Sequence, residues 1–254
     1  MVKTHKILFL SMSLIVTSNK IWTMELVQEK LSILAIKSLQ DEEDAMDSGH
    51  DIDFVGKTKE EIKAILRRQV VGMNKRDGMK IHTELLKVAA KKGNLLLVQA
   101  LIEIGVPLSS SFIKDEKLEN KEVRNYLQAN IDLYRAAGYG DTEKVRAAWE
   151  AGAYIDSRSD ELDRTSLHLA AYWGRKAVVQ FLIEARADVN AQTCLKDTPI
   201  HYAIYGNMKN GASIVKKLLA AGASKNITGN LSCTPLMLAK ELGFVQFFAL
   251  LEAE

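Results

Sequence analysis

The phrase Thr165-Ser166-Leu167-His168-Leu169-Ala170-Ala171-Tyr172-Trp173-Gly174 returns 33 residues later as Thr198-Pro199-Ile200-His201-Tyr202-Ala203. It returns again as Thr234-Pro235-Leu236-Met237-Leu238-Ala239. A unit recurring near 33 residues cannot bury its apolar face alone and must stack against a neighbour of the same kind. The chain therefore reads as an array rather than as a globular enzyme, and arrays present long surfaces instead of deep pockets.

Aligning the units on the small residue that ends the phrase gives anchors at Ala89, Ala136, Ala170, Ala203 and Ala239, spaced 47, 34, 33 and 36 residues apart. After each anchor come a turn and an apolar helix. Unit 3 runs Tyr172-Trp173-Gly174, then Val178-Val179 and Leu182-Ile183. Unit 1 has lost the Thr, Pro and His but keeps Ala89-Ala90-Lys91-Lys92-Gly93, Val98 and Leu101-Ile102. The long first gap places surplus residues at 109–130, and three extra residues lie around Asn207–Gly211.

Each recurring position has a physical task. Threonine before the first helix suits an N-cap, where its hydroxyl accepts an orphan amide. Proline at the first helical position loses nothing, because that amide has no helical partner. Glycine ends each helix in the left-handed conformation that other residues avoid. Unit 3 puts Arg186 at such a position, which costs on the order of 1 kcal/mol.

These motifs resemble the ankyrin-repeat family over residues 83–254. The resemblance implies an all-α solenoid of about five helix-turn-helix repeats joined by short β-hairpin loops, preceded by a helical N-terminal segment. It also implies a protein-binding function. In such units the residues between the paired alanines and the glycine face a groove, here Lys91, Lys92, Tyr139, Tyr172, Trp173 and Tyr205. Leu162, Leu195 and Leu231, each three residues before its unit's threonine, fall at hairpin tips. The expected partner contacts are Tyr139, Tyr172, Trp173, Tyr205, Leu162, Leu195 and Leu231, since aromatic anchors dominate binding hot spots. The competing reading packs Tyr172 and Tyr205 against neighbouring helices and lets the leucines cover hairpin bases.

Residues 1–23 open with basic Met1–Lys6 and an apolar core over 7–16. Such a pattern fits a cleaved signal peptide and a secreted or exported protein, such as an effector. Two alternatives stay open: a membrane tether through residues 7–16, and translation from Met24, which makes a cytoplasmic scaffold or inhibitor subunit. Residues 24–82 read as a helical segment. Thr58-Lys59-Glu60-Glu61 forms a capping box before Ile62, Ile65 and Leu66, a segment suited to covering the first repeat. Phe244, Val245, Phe247 and Phe248 leave self-association through the last repeat as a further reading.

No enzyme chemistry is expected. The five histidines lack metal-ligand spacing to cysteines or carboxylates, and His168 and His201 belong to the repeat signature, where the resemblance implies they bridge hairpins. G-x-S-x-G, G-x-x-x-x-G-K-[ST] and H-E-x-x-H are absent from the sequence. No cofactor and no metal are expected. Net charge is +2 without a basic aromatic stripe, which argues against nucleic acid and leaves another protein as the partner.

Overall fold

The computed structural model describes residues 56–69, 75–108, 118–159, 162–206 and 209–252. The expected signal or tether segment, 24–55 within the N-terminal segment, and 109–117 within the surplus lie outside them. The chain forms two compact units, 1–56 with 70–81, and 57–69 with 82–254. Of the first, the described part is Gly56 and the helical residues 75–81.

The second unit is helical throughout its regular structure, with no strand among the described residues. Its elements in chain order are α1 (Lys59–Gln69), α2 (Lys75–Lys91, here from His82), α3 (Leu95–Glu103), α4 (Lys121–Tyr139) and α5 (Thr142–Glu150). They continue with α6 (Ser166–Tyr172), α7 (Lys176–Glu184), α8 (Pro199–Gly206), α9 (Gly211–Ala220), α10 (Pro235–Glu241) and α11 (Phe248–Glu252). From α4 onward they pair as inner and outer helices, α4/α5, α6/α7 and α8/α9. The inner helices α6 and α8 are covered on both flanks: every residue of α6 but Tyr172 is buried. Outer helices bury one stripe, Val178, Val179, Phe181 and Leu182 in α7. One continuous core results, running from Ala129 and Leu133 to Phe247 and Leu251.

The signature residues act as their chemistry requires. The Thr165 amide and hydroxyl both lie on His168 Nδ1, at 3.2 and 2.9 Å. A backbone amide can only donate, so Nδ1 accepts and Nε2 carries the proton. That proton is donated to the Asp197 carbonyl of the next hairpin at 3.2 Å. His201 repeats the arrangement with Thr198 and the Cys233 carbonyl at 3.1 Å. Where unit 5 substitutes Met237, the Thr234 hydroxyl instead accepts the Met237 amide at 3.3 Å.

The hairpins are closed by turns rather than strands. The Thr193 amide donates to Asp197 O at 3.0 Å, and the Gly229 amide to Cys233 O at 2.8 Å. Asp163, Lys196 and Ser232, each two residues before its threonine, all have positive φ, at 57, 66 and 59°. Arg186 joins them at 66°, the strained position expected from the sequence.

The first helix pair is stacked out of step. At the later seams the residue before an outer helix meets a carbonyl at the end of the preceding unit's inner helix: Arg175 Nε to Gly138 O and Asn210 Nδ2 to Gly174 O, both 3.0 Å. The unit 1 turn is met instead by Asn120, whose amide reaches Gly93 O at 3.4 Å. Asn120 is the N-cap of α4, a helix of 19 residues and so about 28 Å long. Residues 121–130, counted as surplus from the sequence, are the opening turns of this helix, which α3 packs against. Within them Asn130, fully buried, accepts the Tyr154 amide at 3.0 Å and donates to Tyr126 O at 2.8 Å. A hairpin residue of the preceding unit does that job at the later seams, Asp156 for the Asp188 amide and Asn190 for the Ser224 amide. Helix α1 covers α3, with Ile62 and Leu66 buried and Lys59 and Lys63 both on Glu103.

Candidate interaction surface

The ends of α4, α6 and α8 present Tyr139, Trp173 and Tyr205, which are 80%, 46% and 37% exposed. Each lies where its inner helix turns toward the outer one, so the stacking of units sets their spacing. Tyr172 differs, being half-buried. It meets Trp173 edge-to-face at 5.0 Å and Tyr202 at 6.2 Å. Tyr202, buried, in turn meets His168 at 5.1 Å and Tyr205 at 6.1 Å. Trp173, Tyr172, Tyr202 and Tyr205 thus form one ladder of rings across two units. Edge-to-face pairs of this kind add roughly 0.5–1.5 kcal/mol beyond their buried area.

Tyr172 is a rung of this ladder, while Trp173 and Tyr205 are rungs with an open face. Tyr139 stands outside the ladder but close to it: a Cβ on its neighbour Gly138 would lie 3.9 Å from Trp173 Cδ1. The residue missed from the sequence is Tyr202. It occupies the position of Leu169 and Leu238 in the repeat phrase, and that apolar-to-aromatic change beside His201 was the available signal.

The ladder depends on close backbone approach. A Cβ on Gly206, at the end of α8, would stand 1.9 Å from the Tyr172 carbonyl oxygen. Only glycine fits there, and its absence of a side chain brings α8 against α6.

At the tips Leu162 is 36% and Leu195 42% exposed. The Cys194 amide donates to Leu162 O at 3.0 Å, so the two leucines sit on hydrogen-bonded neighbouring hairpins. The Leu231 side chain lies outside the described residues; its backbone falls in a 3₁₀ turn, Asn230–Ser232.

An open concavity of about 840 Å³ lies between α4 and α5, with Ala129, Ala136 and Ala148 as its floor and Gln128, Asp132, Arg135, Tyr139 and Lys144 among its rim. One unit further on, Leu169, Val178 and Phe181 stand where Arg135, Lys144 and Ala147 stand here. They are buried, and Phe181 packs edge-to-face on Trp149 at 5.9 Å, under the Arg146 guanidinium. The out-of-step first pair leaves the α4/α5 face open, and the sequence meets water there with charged and small residues.

No cluster of three His, Cys, Asp or Glu placed to hold a metal occurs among the described residues. His201 is held below its ordinary ionisation range by burial. Cys194, exposed, and Cys233, half-buried, take part in no disulfide.

The family model for ankyrin repeats in three copies matches residues 86–193 and 133–227, more than half of the chain. The chain belongs to the ankyrin-repeat family. An ankyrin repeat protein of Fowlpox virus (strain NVSL), FPV031, is 28% identical over 174 residues, 67% of this chain and 47% of that protein. Oryza sativa subsp. japonica contributes XBOS31, named a probable E3 ubiquitin-protein ligase, at 35% identity over 94 residues, 37% of this chain and 20% of that one. Human Rabankyrin-5 is 44% identical over 61 residues, 24% of this chain and 5% of its own length. The chain thus spans at most about half of these relatives, and the likeness lies in the shared repeats. Ankyrin repeats generally mediate protein–protein interaction, and the fold is typically a non-catalytic module.

Proposed function

We propose that this ankyrin array binds a protein partner along the strip formed by Tyr139, Trp173 and Tyr205, continued at the tips by Leu162 and Leu195. The single observation that carries the reading is Trp173, nearly half exposed while Tyr172 packs edge-to-face on its ring. A rigid aromatic ring that is held in place before binding loses little entropy on contact, which is why such residues act as anchors. Tyr172 serves as the backing of that anchor. No residue is assigned a catalytic role.

The test is photo-crosslinking in the native cell. A photoreactive phenylalanine analogue replaces Tyr139 or Tyr205, with a control at Gln180 on the outer helix. The strip positions are expected to capture one common protein that the control does not. Equal capture from all three positions would reject the strip as the binding surface.

The reading extends to where the partner is met. The basic start and the apolar run over 7–16 support export, with the effector role that follows from it. Translation from Met24 would place the same array in the cytoplasm. The mass of the mature N-terminal peptide decides between them: a start near Asn19 supports export, and a start at Met24 removes it. No helix among the described residues is long and apolar enough to cross a membrane.

A further inference from the structure

Among the side chains that join adjacent hairpins, one occupies the same place in successive units. At the seam between units 3 and 4 it is Asn190, and its amide works in both directions. Oδ1 accepts the Ser224 amide at 2.7 Å, and Nδ2 donates to the Gly222 carbonyl at 3.2 Å. One repeat earlier the same place is held by Asp156. Its Oδ1 accepts the Asp188 amide at 2.9 Å, reproducing the first bond. The carbonyl matching Gly222 is that of Arg186. Both residues are left-handed, with φ of 90 and 66°, and both amides close the same turn at 3.0 Å, on Leu219 and Ile183. An ionised carboxylate has no hydrogen to offer that carbonyl, whereas a carboxylic acid has one.

We propose that Asp156 is a proton-binding site at the seam between units 2 and 3, its carboxylic hydrogen replacing the amide hydrogen of Asn190 and closing the bond to the Arg186 carbonyl. Acidification then tightens this seam and leaves the Asn190 seam unchanged. Burial, the largest influence, raises the Asp156 carboxyl above the ordinary carboxylate range. The amide of Asp188 lowers it, the Asp188 carboxylate raises it again, and the Arg158 guanidinium opposes that rise. Arg158 is tied to the carbonyls of Asp163 and Gln192, at 2.6 and 2.7 Å, which limits its reach toward Asp156.

The sign follows from the raised value. A carboxyl that holds its proton more tightly when folded favours the folded state below its unfolded pKa of about 3.9. That advantage is lost as pH rises through the higher folded value, so at neutral pH the seam lacks one bond. Asp156→Asn supplies the missing hydrogen at every pH. The experiment compares the full chain with this variant by thermal unfolding between pH 7 and pH 4. It also follows the Asp156 carboxyl carbon by NMR in the unaltered protein, a readout that needs no variant to fold. The expected results are a carboxyl titrating above about 3.9 and a variant melting about 3 °C higher at pH 7, with the gap closing toward pH 4. A carboxyl titrating at or below the ordinary value overturns the proposal, and so does a variant whose advantage at pH 7 is absent or independent of pH.

Discussion

The seam between units 3 and 4 and the seam between units 1 and 2 solve one problem with different parts. At the former, like meets like: His168 holds the next hairpin, Asn210 caps the earlier turn, and Asn190 joins the tips. At the latter, a single long helix provides both ends, Asn120 for the turn and Asn130 for the hairpin amide. The difference shows what stacking needs. The polar groups of a turn and a hairpin must be paired at each seam, but the pairing residue need not come from a repeat. Departure from the repeat has a consequence as well, since the out-of-step pair leaves the α4/α5 face to water.

The comparison can be broken first at the in-step seam. Gly206→Ala drives a methyl into the Tyr172 carbonyl, and overpacking against backbone costs on the order of 3 kcal/mol. Chemical denaturation should show that loss. A change under about 1 kcal/mol would mean that α6 and α8 slide apart easily.

The out-of-step seam breaks at Asn130. Its replacement by Ala leaves the partly buried Tyr154 amide without its acceptor and should cost about 2 kcal/mol. An unaltered midpoint in the same assay would show that the helix extension is not what holds the first pair.

A third change separates packing from recognition. Trp173→Ala should weaken partner binding by about 2 kcal/mol while the cooperative transition survives. If cooperativity is lost instead, the ring is a structural rung like Tyr202.

Proton linkage sharpens the contrast further. Unfolded histidine ionises near 6.5, and burial holds folded His201 lower. Above about 6.5 both states are neutral. Below it the unfolded chain takes up the proton first, so stability falls until the folded ring ionises too. Denaturation at pH 7.5 and 5.5 should show the loss, and His201→Gln should remove part of the slope. Burial lowers His82 as well, which supplies a share that remains. A slope untouched by His201→Gln would show that the folded ring takes up its proton as readily as the unfolded one.

The smallest effect is a gain. Arg186→Gly and Lys196→Gly relieve positive φ without touching the core, and each should add about 1 kcal/mol. No gain at Lys196 would place a compensating contact on its side chain.

The sequence showed the array clearly because its recurring residues each answer a local demand. Thr165 and Thr198 precede helices, Gly174 ends one, and His168 lies one turn from the amide it satisfies. Local demands leave a fixed spacing that can be read along the chain. The stacking of unit 1 did not show, because it depends on Asn120 and Asn130 meeting Gly93 and Tyr154 some 27 and 24 residues away. The strained Asp163, Lys196 and Ser232 were hidden for another reason. Nothing in an ordinary polar residue announces a left-handed backbone, and only their shared place before threonine gave a clue. On the candidate surface, exposure of Trp173 was foreseeable from its size beside a turn. The half-burial of Tyr172 was not, since it depends on Tyr202 across the seam.

The histidine bridges give the array a direction. Each ring serves its own helix with Nδ1 and the following hairpin with Nε2, so support passes from His168 to Asp197 and from His201 to Cys233. Trimming from the far end leaves a retained helix its own cap and frees one ring hydrogen to water. Removing an earlier unit takes away the donor on which a later hairpin rests. The histidine bridges are polar in the sense that a filament is polar: the two ends of the series are not equivalent places to shorten it.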